Sequence, residues 1–114
     1  MLPAHVRILL CTEPQDFRKS FDGLARVTRE ILHENPQSGA IFAFFNKRMN
    51  RIKLLWWDES GYCLLYKRLH RAIVRVPDGA STTGCGMQID APALLQILRG
   101  ASKDKSYRRR RIAA

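Results

Sequence analysis

The chain concentrates chemistry-bearing side chains in one stretch. Between Lys47 and Arg75 stand Lys47, Arg48, Arg51, Lys53, Lys67, Arg68, Arg71 and Arg75, opposed only by Asp58 and Glu59. Cations at that density suit a ligand of repeated negative charge, since each phosphate neutralised by Lys or Arg releases a counterion. Trp57, Tyr62 and Tyr66 are interleaved with them. Such rings can stack on bases, form a hot spot for a protein partner, or simply bury apolar area. Two further basic groups lie outside this stretch. Arg18 and Lys19 fall in the first turn of an expected amphipathic helix, and Arg108, Arg109, Arg110 and Arg111 form a run near the end. The formal net charge is +10 over 114 residues, so the whole molecule repeats the preference of the local cluster. A solvated basic surface with no dedicated ligand is the plain alternative.

Other chemistries find less support. Cys11, Cys63 and Cys85 are odd in number and widely spaced, which argues against a disulfide framework and against a zinc site. His5, His33 and His70 lack metal-ligand spacing, so neither metal nor cofactor is expected. A metal-dependent nuclease would need converging carboxylates. Asp16 and Asp22 are six positions apart and point to different faces of one helix, while Asp58 and Glu59 read as turn residues. The run Ile8 to Cys11 is too short for a signal sequence or a membrane span, so the expectation is a cytoplasmic protein without a membrane partner.

The elements that must position these groups follow from periodicity. Val6 to Cys11 is β-branched and apolar between prolines, a short strand. Phe17, Phe21, Leu24, Val27, Thr28 and Ile31 recur at spacings of three and four, which predicts an amphipathic helix over about 16–33 with Asp16 as N-cap. Gly23 inside that helix costs about 1 kcal/mol relative to Ala. Three strand-like runs, AIFAFFN, RIKLLWW and YCLLYKRL, follow with connectors of hairpin length, and a fourth, AIVRV, stops at Pro77. Pro77 to Gly86 reads as a mobile loop before a brief MQI strand. Asp90 can cap a short helix that ends at Gly100. The fold expected is α+β: an antiparallel meander of about four to five strands on one amphipathic helix, with a short C-terminal helix. One domain covers 1–100 and a basic, flexible tail covers 101–114.

Pairing Trp57 with Tyr62 and Phe45 with Ile52 sorts the side chains by face. One face carries Ile41, Ala43, Phe45, Ile52, Leu54, Trp56, Cys63, Leu65 and Lys67. It is nearly all apolar and is the expected seat of the helix. The other carries Phe42, Phe44, Arg51, Lys53, Leu55, Trp57, Tyr62, Leu64, Tyr66 and Arg68. There Arg51 opposes Arg68, an arrangement that favours an anion between them. Arg71 and Arg75, at alternating positions of the next strand, are expected to widen the patch.

Three separated stretches, DFRKSFDGLA (Asp16 to Ala25), GAIFAFFNKRMNRIKLLWWD (Gly39 to Asp58) and GYCLLYKRL (Gly61 to Leu69), together resemble the small accessory protein of the bacterial insertion-sequence-sixty-six family, its TnpB-type second open reading frame. The resemblance spans about Val6 to Pro77 and, weakly, LLQILRG. The chain departs from the family pattern at Phe17, Ser20, His70 and Val76. The resemblance implies a non-catalytic role in DNA transposition beside a separate, larger transposase, in the bacterial cytoplasm with nucleoid association. DNA contact, expected to be dominated by the phosphate backbone, would fall to Arg18, Lys19, Arg48, Arg51, Lys53, Lys67, Arg68, Arg71, Arg75 and the arginines at 108–111. Trp57, Tyr62 and Tyr66 would form a stacking or partner surface. The alternative is an assembly factor that binds the transposase or other element-encoded proteins.

Overall fold

The computed structural model describes residues 5–77, 82–83 and 85–102. Strand β1 (Ile8–Cys11) leads through α1 (Phe21–Glu30) to β2 (Ile41–Phe45), β3 (Arg51–Asp58) and β4 (Gly61–Arg68). Then come β5 (Ala72–Ile73), β6 (Thr82–Thr83), β7 (Gly86–Ile89), α2 (Ala91–Arg99) and β8 (Ala101–Ser102). The main sheet has the order β4-β3-β2-β1-β7-β6, and β5 pairs with β8 in a separate small ribbon. The α+β class and the β2–β4 meander are as the sequence implies. All neighbours in the main sheet are antiparallel except β1 and β2, which run parallel with Ile8 beside Ile41. Parallel neighbours need a crossover, and α1 supplies it. β1 is therefore central, and its four residues are all buried, which is why it reads as a continuous apolar run rather than an alternating one.

The register matches the sequence expectation: Phe45 pairs with Ile52, Trp57 with Tyr62, Lys53 with Tyr66 and Arg51 with Arg68. The seat of α1 does not. Its Leu24, Ala25 and Val27 pack on Phe42, Phe44 and Leu55, with Tyr62 and Leu64 at the edge. That is the mixed face. The apolar face, to which Met87 of β7 also belongs, is covered instead by Leu94 and Ile97 of α2, with Leu69 and Val74. Both faces have a wholly apolar centre, and only their ends differ. The side on which a parallel crossover lands is set by chain connectivity and handedness, which face composition does not report.

The N-terminal boundary of α1 also differs from the expectation. The helix begins at Phe21 after Ser20, whose side chain makes no capping bond. Asp16 is not its N-cap; its Oδ1 accepts instead from the backbone N–H of Arg18 at 2.9 Å. The cause lies in two carbonyls. In a helix the Phe17 and Lys19 oxygens would accept from backbone N–H groups four residues on. Here both accept from the Lys53 ammonium, at 3.0 and 2.6 Å. At the other end His33 adopts φ 56° while the Glu34 N–H donates to the Thr28 carbonyl, a left-handed helix stop.

Gly23 has a packing reason. A Cβ there would stand 2.9 Å from Lys19 Cβ, too close for any side chain without displacement of Lys19. Finally, AIVRV does not join the main sheet. The chain turns at Arg71, with φ 58°, and folds back so that the Leu69 and Val74 N–H groups donate to the Asn50 and Met49 carbonyls. Only Ala72 and Ile73 form a strand, β5, so Arg71 and Arg75 do not extend the β4 face. Among the described residues β4 is an edge of the sheet.

Candidate functional site

The first and second motif stretches meet in space. An open cleft of about 830 Å³ lies between the segment Pro14–Arg18 and the β2–β3 turn, and it is lined by Pro14, Gln15, Asp16, Phe17, Arg18, Asn46, Lys47, Arg48 and Arg51. Each wall is held by specific polar bonds. The Gln15 N–H donates to the Phe45 carbonyl at 2.9 Å, and its buried side chain donates to the Glu13 carbonyl at 3.0 Å. Across the cleft Asn46 organises the turn: its Oδ1 accepts from the Asn50 and Arg51 N–H groups, both at 3.0 Å, and its Nδ2 donates to Asn50 Oδ1 at 2.7 Å. Met49 takes up φ 59° to close it. This short, side-chain-braced turn presents Lys47 and Arg48 exposed at its tip.

Lys53 is not part of that exposed surface. Its side chain is only 4 % exposed. A buried ammonium is costly unless it is bonded. Besides the Phe17 and Lys19 carbonyls, Nζ lies 4.9 Å from the Phe17 ring centroid and 4.7 Å from that of Tyr66, and the two rings meet edge to face at 5.9 Å. Burial is the main influence on its pKa and lowers it; the nearby Arg51 charge acts in the same direction. Lys53 is thus a post under the cleft wall, fixing the backbone that carries Phe17, Arg18 and Lys19. Lys53, expected from the sequence to contact phosphate, is buried here, with two of its N–H groups on backbone carbonyls.

Tyr66, half exposed, links this post to the surface, because its hydroxyl accepts from Arg51 Nη1 at 2.6 Å. Arg51 and Arg68 stand opposite each other in register, as expected, and Arg68 is exposed. Arg18 is 91 % exposed but is not a free charge. Asp16 accepts from its Nε and Nη2, and these bonds hold the Asp16 carboxyl far below the usual carboxylate range and raise the guanidinium. The neutralising partner of Arg18 is therefore Asp16, two residues back.

The remaining expected residues separate from the cleft. Lys19 is half-buried on the segment that Lys53 anchors. Lys67 points to the opposite face, where its ammonium donates to the Leu98 carbonyl at 2.7 Å, near the C-terminus of α2. Arg71 and Arg75 are exposed on the segment that leaves the sheet. Trp57 and Tyr62 pack edge to face at 5.0 Å, six residues along β3 from Arg51, which is about 20 Å at the usual rise per residue. They form a second surface and do not line the cleft. Arg108, Arg109, Arg110 and Arg111 lie outside the described residues. Pro14, Gln15, Phe17 and Asn46 line the cleft without having been singled out as site residues, while Lys47 stood only in the general cation cluster. The bracketing of Lys47 and Arg48 by Asn46 and Asn50 is the signal that could have marked that turn, since Asn favours such local backbone bonds.

Among the described residues no group of three or more His, Cys, Asp or Glu is placed to hold a metal ion. Asp58 and Glu59 sit at the β3–β4 turn, at the far end of β3 from Asp16. No helix among the described residues is long and apolar enough to cross a membrane.

Comparison with known proteins adds a family to this geometry. Residues 6–108 match the model of a family described as IS66 Orf2 like protein. An uncharacterized protein of Sinorhizobium fredii, y4hO, is 34 % identical over 102 residues, covering 88 % of this chain and 86 % of its own length. A second from the same organism, y4jC, is 39 % identical over 64 residues, and the match spans 56 % of this chain and 55 % of that protein. No solved structure matches. With a match that runs from two residues before β1 to beyond β8, the chain belongs to the family of IS66 Orf2-like proteins.

Proposed function

We propose that this protein is a non-catalytic accessory factor of insertion-sequence transposition that binds DNA through its phosphates, with the cleft rim as the contact surface. One observation carries the reading. Lys47, Arg48, Arg51 and Arg68 gather at one end of the sheet, and none has a carboxylate partner among the described residues. Four such cations within one patch repel one another weakly in water, and an anionic ligand relieves that repulsion. Among the described residues neither helix is arranged with a second helix as a major-groove reader, so contact through the backbone is the mode that fits. The net charge of +10 supports the same partner. DNA titrations over a salt series, with duplexes from the element ends and scrambled duplexes, test it. Affinity should fall steeply with salt on both; binding that ignores salt overturns the reading.

The assembly-factor alternative has its own support in the Trp57–Tyr62 pair, half-exposed aromatic residues of the kind that anchor protein interfaces. Trp57→Ala should then lower co-purification with the transposase and leave the DNA salt slope unchanged.

A further inference from the structure

β4 has one used side and one unused side. All eight of its residues pair with β3, from Gly61 opposite Asp58 to Arg68 opposite Arg51, with no bulge between. Among the described residues no strand pairs with its outer side. A straight eight-residue edge is unusual, because natural edges are normally shortened, bulged or guarded by outward charge. Lys67 is a residue type that guards edges, but its ammonium is turned back to the Leu98 carbonyl. Two apolar or aromatic side chains on this strand are exposed in the monomer, Leu65 at 39 % and Tyr66 at 48 %.

The direction of the unused groups can be read from the sheet. The Asn46 N–H donates to the Arg51 carbonyl, so Arg51, Lys53, Leu55 and Trp57 bond toward β2 and the alternate residues bond toward β4. Tyr62, Leu64, Tyr66 and Arg68 consequently aim their backbone N–H and C=O groups outward. Charge is distributed unevenly along the same edge. The turn before β4 holds Asp58 and Glu59, and its far end holds Arg68 followed by Arg71. A strand acidic at one end and basic at the other is complementary to an antiparallel copy of itself.

We propose that β4 pairs antiparallel with β4 of a second copy about a two-fold axis near Leu64, giving a continuous sheet across the dimer. In that register Tyr62 faces Tyr66 of the second copy. Each Asp58–Glu59 turn lies beside Arg68 and Arg71 of the other copy. The two basic clefts then open on the same face of the joined sheet. By strand rise they are about 30 Å apart, close to one helical turn of duplex. The pairing itself does not depend on DNA binding.

Light scattering on the eluting full-length chain at micromolar concentration tests the proposal without DNA, alongside two charge variants and their mixture. The wild type should have the mass of two copies. The double variant Asp58→Lys with Glu59→Lys should be monomeric, and so should Arg68→Glu with Arg71→Glu. An equimolar mixture of the two variants should recover the dimer mass, because each acidic element again meets a basic one. That recovery separates a lost interface from a lost fold. A wild type of any other mass overturns the proposal, as do charge variants that remain dimeric or a mixture that stays monomeric. A monomeric wild type would return the edge to a strand of another protein.

Discussion

Removing Lys47 and Arg48 together gives the most direct test of the cleft. Both are exposed at the tip of a turn whose shape is set by Asn46 and Asn50, so Lys47→Ala with Arg48→Ala should leave the fold intact. The magnitude follows from counting charges. Lys47, Arg48, Arg51 and Arg68 are taken as phosphate contacts, and Arg18 is omitted because Asp16 already neutralises it. At about 0.9 released counterions per contact, four contacts give a slope of about −3.6 in log K against log salt. Between 50 and 200 mM salt that is a fall of about 150-fold. The variant keeps two of the four, so its slope should be about −1.8 and its fall about 12-fold over the same range. Any further contact from other basic segments adds equally to both proteins, so the difference in slope is the quantity to read. Fluorescence anisotropy with a labelled duplex provides it. A variant slope equal to that of the wild type would refute the assignment of the cleft rim, even if the affinity itself had dropped.

Asp16→Asn should have the opposite sign. The amide oxygen can still accept from the Arg18 N–H, while the guanidinium is released, so the slope should steepen by about 0.9. Acid should not mimic this change at pH 5. The folded-state carboxyl lies below its unfolded value of 3.8, so the ion pair is fully present above that value and is lost only as the pH falls through the lower folded one. Binding of wild type and variant measured at pH 5 and pH 7 should keep the same ratio. Lys53→Met should destabilise the fold by about 2 kcal/mol in urea denaturation, because it leaves the Phe17 and Lys19 carbonyls without their donor. A loss below about 0.5 kcal/mol would remove Lys53 from its supporting role. Gly23→Ala should also lower the denaturation midpoint, although helix propensity alone favours Ala by about 1 kcal/mol, because the new methyl would displace Lys19.

The sequence was most informative where one local rule decides the outcome. Strict alternation from Arg51 to Arg68 fixed both the register and the face of every residue in the hairpin, and Asp90 with Pro92 marked the start of α2. It was least informative where a distant residue decides. The α1 start was displaced by Lys53, which stands more than thirty positions from the carbonyls it binds. An alternating Lys gives no sign that it will turn inward. The cleft was half legible for the same reason. Its cations stood out as a group, yet the meeting of Pro14–Arg18 with Asn46–Arg51 depends on the β1–α1–β2 crossover, which short-range periodicity cannot reveal. The face chosen by α1 belongs with these, because both faces of β2 and β3 offer apolar centres.

The central place of β1 bears on how the chain acquires its shape. β2, β3 and β4 contact one another through short turns, so their pairing costs little loop-closure entropy and can form early. β1 needs Ile41 on one side and Ile89 on the other, partners about thirty and eighty positions away. The first ladder can form once β2 is made, but the second must wait for nearly the whole described chain, and contacts of that separation slow folding. During synthesis the meander with its cationic turn would emerge and pair while β7 was still unmade. Until then β1 would have an open apolar flank, the stretch where a nascent chain most needs protection from aggregation.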